Sequence, residues 1–299
     1  VVAKLRGIVG QKKIGHTGTL DPDATGVLPV CLGKATKLCD LLTDKDKTYE
    51  AVMLLGKTTD TQDITGAILE ERSTESLTEE KVREAIESFI GDYDQIPPMY
   101  SALKVNGKKL YELAREGKII ERKARPVKIL DIRILEMDLP RVRMEVACSK
   151  GTYIRTLCHD IGEKLGCGGC MESLLRTKVS RFELKDSMKL ADIEKAKNEG
   201  RTEEIILPLD EVFVEYPKII VTGRQAQLAY NGNPFPKESA KNLILPGKDG
   251  GEDDLSDIFS RYKKYRVYDE QGRFIAIYSY QKQRQLFRIE KMFFDPDGK

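Results

Sequence analysis

Tryptophan is absent from this 299-residue chain, and histidine occurs only at His16 and His159. A metal centre built from several histidines is therefore disfavoured. No apolar run approaches the roughly 20 residues needed to span a bilayer, and no secretory signal pattern is present. Neither sign of charge dominates: 50 Lys and Arg stand against 48 Asp and Glu, a net of +2. Proteins that hold nucleic acid through bulk charge carry a clearer excess, so such a role here requires a local basic surface. The six cysteines, Cys31, Cys39, Cys148, Cys158, Cys167 and Cys170, are scattered without a secretory context. Their default state is free thiol in a reducing compartment, which makes the expected location cytoplasmic. A charged fraction of 33% and a hydrophobic fraction of 40% fit a soluble globular protein. The length fits about two domains.

Two motifs hint at cofactors and neither is complete. Cys167-Gly168-Gly169-Cys170 is a lone C-x-x-C, whereas a structural zinc site wants a second pair or a His pair. Cys158 and His159 lie near in sequence, which leaves zinc open, but the reading adopted is no metal. Gly33-Lys34-Ala35-Thr36 has part of a phosphate-binding loop, yet Gly26 is too far upstream and Ala35 holds the hydroxyl position. No cofactor is expected.

Periodicity and punctuation outline the elements. Val1–Val9 reads as an amphipathic helix closed by Gly10. The chain opens inside this helix and not on Met, so a preceding segment is expected to be missing. Leu28–Leu32 reads as a buried strand, Thr36–Leu42 as a helix with Leu38, Leu41 and Leu42 inward, and Thr48–Leu55 as a strand stopped by Gly56. Ile64–Glu70 reads as another strand. Ser76–Ile90 is the clearest helix: Ser76 and Glu79 have capping-box spacing, Val82, Ile86, Phe89 and Ile90 share a face, and Gly91 suits the end. Lys109–Arg115 is a short helix. Pro126–Ile134 and Val142–Cys148 alternate as paired strands, and Tyr153–Leu165 is a helix with Leu157, Ile161 and Leu165 inward. Strands and helices mix without a βαβ rhythm. That predicts the α+β class, with a mixed, largely antiparallel sheet flanked by helices. Near Pro217 the character shifts to short strands and turns, with a hairpin around Asp269-Glu270-Gln271-Gly272. The domains are placed at 1–218 and 219–299. Gly247–Asp254 has the composition of a mobile acidic loop. Arg261, Lys263, Lys264, Arg266, Arg273, Lys282, Arg284, Arg288 and Lys291 crowd the tail, which is either a solvated charged face or the local basic surface a nucleic acid needs.

The most informative run is Gly15-His16-Thr17-Gly18-Thr19-Leu20-Asp21-Pro22-Asp23-Ala24-Thr25-Gly26-Val27-Leu28-Pro29-Val30. Gly and Pro at this density exclude an ordinary helix or central strand. The run is a shaped loop that holds a carboxylate in one pose. Asp21-Pro22-Asp23-Ala24-Thr25 also fits the D-x-D-x-T of aspartate-nucleophile phosphatases, but His16–Leu20 cannot form the apolar strand that precedes that signature. An isolated Asp here would cap a turn, a reading that leaves the sixteen-residue pattern unexplained.

The order G-H-x-G-x-L-D-P-x-A-x-G resembles the catalytic motif of TruB-type tRNA pseudouridine synthases. Lys47-Thr48-Tyr49-Glu50-Ala51, Thr59-Asp60-Thr61-Gln62-Asp63, Ile96–Lys104 and Cys148-Ser149-Lys150-Gly151-Thr152-Tyr153-Ile154-Arg155 resemble further segments of that family, in the family's order. The family's opening strand, with its Lys-Pro pair, has no counterpart. The resemblance implies the pseudouridine synthase fold followed by a small β-rich PUA-like domain. It implies isomerisation of uridine 55 in the T arm of tRNA, by a cytoplasmic monomer with no obligate protein partner and no membrane. Asp21 would be the nucleophile, Arg155 its cationic partner, Tyr49 the ring against the target base, and His16 a residue that fills the space the base leaves. Tyr49 and Arg155 would thus serve both catalysis and substrate binding. By pattern alone Tyr49 is a strand residue, Arg155 a surface or structural charge, and His16 a turn residue. The reaction cuts the bond between ribose and uracil N1 and rejoins the base through C5, so no redox group or donor is required. Whether the carboxylate attacks sugar or base stays open, and Tyr49 or a water can take the C5 proton. The alternative is an RNA-binding or tRNA-chaperone protein of the same fold without turnover. A bare binding module has no use for a buried Asp, which favours the enzyme.

Overall fold

The computed structural model describes residues 1–43, 45–247 and 255–294. The acidic stretch after Gly247 and the side chain of Leu41 lie outside the described residues. The chain divides into two compact units, Val1–Leu190 and Ala191–Lys299.

The first unit is built on a seven-stranded sheet. Its strands run in the order Phe182–Glu183, Gly169–Val179, Lys47–Leu55, Arg141–Cys148, Arg125–Asp138 and Gly91–Gln95, all antiparallel neighbours. Thr25–Gly26 adds a short parallel pair against Leu175 and Arg176. Alternation decides which face is buried. Ala51, Met53, Val142, Met144 and Val146 point to one face and are fully buried there. Val82 and Ile86 of the helix Glu79–Glu87, and Leu157, Cys158 and Ile161 of the helix Ile154–Lys164, close over them. The intervening residues carry ion pairs, Arg143 to Glu50 at 2.7 Å and Arg141 to Glu172 at 3.0 Å. The helix Ile154–Lys164 meets the sheet at a place only glycine allows: a Cβ on Gly162 would lie 2.2 Å from the Gly169 nitrogen.

The α+β reading and the antiparallel pairing of Arg125–Asp138 with Arg141–Cys148 hold. Other expectations change. The helix read from Ser76 starts at Glu79, because Thr78 and not Ser76 caps it, its hydroxyl accepting from the Lys81 N–H at 3.4 Å. Ile90 is accordingly exposed, and Gly91, at φ 113°, opens a strand. The strand read over 64–70 is confined to Ile68–Glu71. Thr36–Leu42 falls within a 3-10 turn, Gly33–Leu38, followed by the helix Cys39–Thr43.

The second unit carries a six-stranded sheet ordered Phe235–Pro236, Leu286–Met292, Phe274–Gln281, Lys264–Tyr268, Lys218–Ile220 and Leu243–Ile244. The expected hairpin pairs Lys264–Tyr268 with Phe274–Gln281. Its core is aromatic: Phe235, Tyr265, Tyr278 and Phe287 are buried together. Residues before 218 belong with this unit, since Phe213 stacks on Tyr216 at 5.5 Å and lies 6.0 Å from Phe293.

Candidate active site

Asp21 sits in a loop pinned at both ends. The Thr17 N–H donates to the Pro29 carbonyl at 3.2 Å, and the Ala24 N–H to the Asp21 carbonyl at 3.0 Å, closing a turn around the carboxylate. Gly18 and Gly26 take φ near 115°, a conformation that disfavours side chains. Gly26 also approaches its neighbour strand too closely for a Cβ, which would lie 2.2 Å from the Arg176 carbonyl oxygen.

Arg155 is the second residue of the helix Ile154–Lys164 and is buried. Gln95 fixes that helix start: its side chain accepts from the Tyr153 N–H at 2.8 Å and donates to the Tyr153 carbonyl at 3.0 Å. The guanidinium grips Asp21 in a fork, Nε to Oδ2 at 2.9 Å and Nη2 to Oδ1 at 3.2 Å. Its remaining donors reach the carbonyls of Thr61 and Tyr100, each at 2.9 Å, and the Asp63 carboxylate at 3.5 Å. Asp63 is itself held by Thr61 Oγ1 at 2.8 Å and by the Thr65 hydroxyl at 2.6 Å. Arginine suits this place because it stays charged and its fork matches a carboxylate.

Burial raises the Asp21 carboxyl above its ordinary value; the Arg155 guanidinium opposes that rise and the Asp63 carboxylate adds to it. Tyr49, on the strand Lys47–Leu55, is 8% exposed. Burial pushes its phenol up to about 12, with Cys148 adding to the rise and Arg176 opposing it; the Asp21 charge also acts on it. The structure thus brings Asp21, Arg155 and Tyr49 together. His16 ends the strand Ile14–His16 opposite Val30, with Nδ1 buried and lacking a hydrogen-bond partner, and makes no polar contact with those three.

Sequence reasoning missed Arg176. It lies in the strand Gly169–Val179, 1% exposed, and donates to the carbonyls of Val27 and Gly18. Nothing in Leu174-Leu175-Arg176-Thr177-Lys178 separates a buried arginine from an exposed one. The Cys167 thiol donates to the Gly168 carbonyl at 3.3 Å, and among the described residues no group of three or more His, Cys, Asp or Glu gathers to hold a metal. The tail's basic run is divided: Arg266 donates to the Tyr216 carbonyl at 3.0 Å and Arg273 pairs with Asp269 at 2.5 Å, whereas Arg261, Lys263, Lys282, Arg284 and Arg288 are exposed.

A half-buried carboxylate on a rigid loop is thus forked by a buried guanidinium and lies within electrostatic reach of a buried phenol. Comparison with known proteins carries this further. Residues 6–154 match the family described as TruB family pseudouridylate synthase (N terminal domain), and residues 155–214 match the tRNA pseudouridylate synthase B C-terminal domain. The chain is 52% identical over 301 residues to the tRNA pseudouridine synthase B of Lachnoclostridium phytofermentans, covering 98% of this chain and 94% of the relative. It is 42% identical to the protein of the same name from Clostridium tetani, covering 98% and 93%. A solved Cbf5-Nop10-Gar1 complex contains a chain of the same fold, with a TM-score of 0.69, 25% identity, and coverage of 99% of this chain and 81% of that one. The chain belongs to the TruB family of pseudouridylate synthases.

Proposed function

We propose that this chain is a tRNA pseudouridine synthase that isomerises uridine 55 of the T arm, with Asp21 as nucleophile. The observation that carries the reading is the Asp21–Arg155 fork, 2.9 and 3.2 Å, set beside the buried Tyr49 ring. The guanidinium opposes the rise that burial imposes on the carboxyl and so favours the ionised form that a nucleophile requires. Tyr49 presents an aromatic face to a uracil that must leave its stack, and stacking returns about 1–3 kcal/mol of that cost. The bond between ribose and N1 breaks, the base turns, and the ribose is rejoined through C5; the C5 proton leaves to water, since the raised phenol of Tyr49 keeps its own proton. His16 fills the gap left in the RNA. The curated relatives bear the name tRNA pseudouridine synthase B, which supports tRNA as the substrate.

The exposed cations Arg261, Lys263, Lys282, Arg284 and Arg288 make the second unit an RNA-holding module, whose β-rich part is taken as 219–299. Among the described residues no helix is long and apolar enough to cross a membrane. The reading is completed by a monomer acting in the cytoplasm without an obligate partner protein. The test is incubation of the purified protein with unmodified tRNA transcript, followed by nucleoside chromatography and mapping of the modified position. Conversion of one T-arm uridine supports the reading; intact uridine throughout refutes it.

A further inference from the structure

Arg176 stands outside every motif that the sequence brought forward, yet it joins the parts of the site. It is 1% exposed, and among the described residues no carboxylate lies within ion-pair distance of it. A buried guanidinium without a carboxylate is costly, so its donors have to be used. Nε donates to the Val27 carbonyl at 2.7 Å and Nη2 to the Gly18 carbonyl at 3.1 Å, one on each side of Asp21 in the chain. The Arg176 backbone holds the same loop: its carbonyl accepts from the Val27 N–H at 2.8 Å, and Gly26 pairs beside it in parallel register. In the other direction Arg176 stands in register opposite Tyr49 across the antiparallel pair of strands. One side chain therefore touches both limbs of the carboxylate's loop, from the strand adjoining the phenol.

We propose that Arg176 is a positioning residue for the isomerisation: it clamps both limbs of the Asp21 loop against the strand beside Tyr49, and so fixes the spacing of carboxylate and phenol. The proposal rests on the reading of Asp21 and Tyr49 as the groups that meet the uridine. Arg155 orients the carboxylate from the helix side, whereas Arg176 holds the backbone that carries it. Lysine cannot fully replace this clamp, since a single ammonium lacks the planar fork that reaches two carbonyls at once. Shifts of about 1 Å at a reacting group cost on the order of a hundredfold in rate, so a loosened loop is read in the chemical step before it is read in binding.

The experiment measures single-turnover conversion of a tRNA transcript by the wild type, Arg176→Met, Arg176→Lys and Gly26→Ala, alongside filter binding of the same transcript and near-UV circular dichroism. Arg176→Met is expected to lower the single-turnover rate by about a hundredfold while the dissociation constant stays within about threefold. Arg176→Lys recovers part of the rate. Gly26→Ala, whose Cβ would lie 2.2 Å from the Arg176 carbonyl oxygen, drives the same limb away from Arg176 while keeping the arginine, and reproduces the loss. If Arg176→Met does not fold, a folded Arg176→Lys slowed by about tenfold or more supports the clamp. An active wild type with a folded Arg176→Met or Arg176→Lys at wild-type rate overturns the clamp alone. A wild type that converts no uridine overturns both the clamp and the reading beneath it.

Discussion

Replacing Arg155 with methionine keeps most of the side chain's length and removes its charge and every donor. Four groups lose a contact to it: the Asp21 carboxylate, the carbonyls of Thr61 and Tyr100, and the Asp63 carboxylate, which keeps its Thr61 and Thr65 donors. The Asp21 side chain is 39% exposed, so water compensates part of that loss and the ion pair accounts for about 1 kcal/mol. The two stranded carbonyls add about 1–3 kcal/mol together. The sum, about 2–4 kcal/mol, lowers Tm by roughly 5–15 °C at the slope expected for a unit of this size. Catalysis suffers more, by about a hundredfold, because the carboxylate loses its fixed direction. The pH dependence has a definite sign. Burial raises the Asp21 carboxyl and Arg155 opposes the rise. Without the guanidinium the protonated, inactive form persists to higher pH, so the acid limb of the rate profile moves upward. Single-turnover pseudouridine formation, followed from acid to mildly alkaline pH, checks this. A folded Arg155→Met variant with an unmoved acid limb and a rate close to wild type would refute the reasoning.

Asp21→Asn is expected to abolish turnover while tRNA binding stays within about tenfold, or roughly 1.4 kcal/mol; filter binding and nucleoside analysis on one preparation separate the two. Ending the chain after Leu190 removes the second unit with its exposed cations. It should weaken tRNA binding and flatten the log–log salt slope by roughly 0.7–0.9 for each phosphate the protein ceases to neutralise, yet leave conversion of a concentrated T-arm stem-loop measurable. Gly162→Ala forces a Cβ to 2.2 Å from the Gly169 nitrogen, and the overpacking should cost about 1–3 kcal/mol in thermal melting. Activity should persist in EDTA, because the isomerisation needs no electron or group donor; loss on chelation with recovery on zinc would assign Cys167 and Cys170 to a metal.

Much of the fold was legible because burial and period coincide. Val142, Met144 and Val146 alternate cleanly, and Leu157 and Ile161 repeat at helical spacing, so the pairing of Arg125–Asp138 with Arg141–Cys148 and the helix behind it follow from pattern. Two strands of the same sheet left no such trace. Gly91–Gln95 is polar at almost every position, an edge strand held by its ladder to residues 125–129 and not by apolar side chains. Gly169–Val179 shifts register against Lys47–Leu55 between Met171 and Ser173 and again between Arg176 and Lys178, and each shift interrupts the period of two. The site divides in the same way. Asp21, Tyr49 and Arg155 stand in runs whose Gly, Pro and aromatic spacing draws notice. Arg176 and Gln95 act through backbone carbonyls and amides far away in sequence, and only tertiary structure brings those into reach.

The central claim is that this chain detaches a uracil and rejoins it through C5, with Asp21 as nucleophile. Rejoining through C5 displaces the hydrogen on that carbon, so tRNA transcribed with uridine tritiated at C5 reports the reaction directly. The account predicts that the wild-type protein releases tritium to water in step with one T-arm uridine per tRNA, and that Asp21→Asn, still bound to the tRNA, releases none. No release by the folded wild-type protein, or equal release by Asp21→Asn, would contradict it.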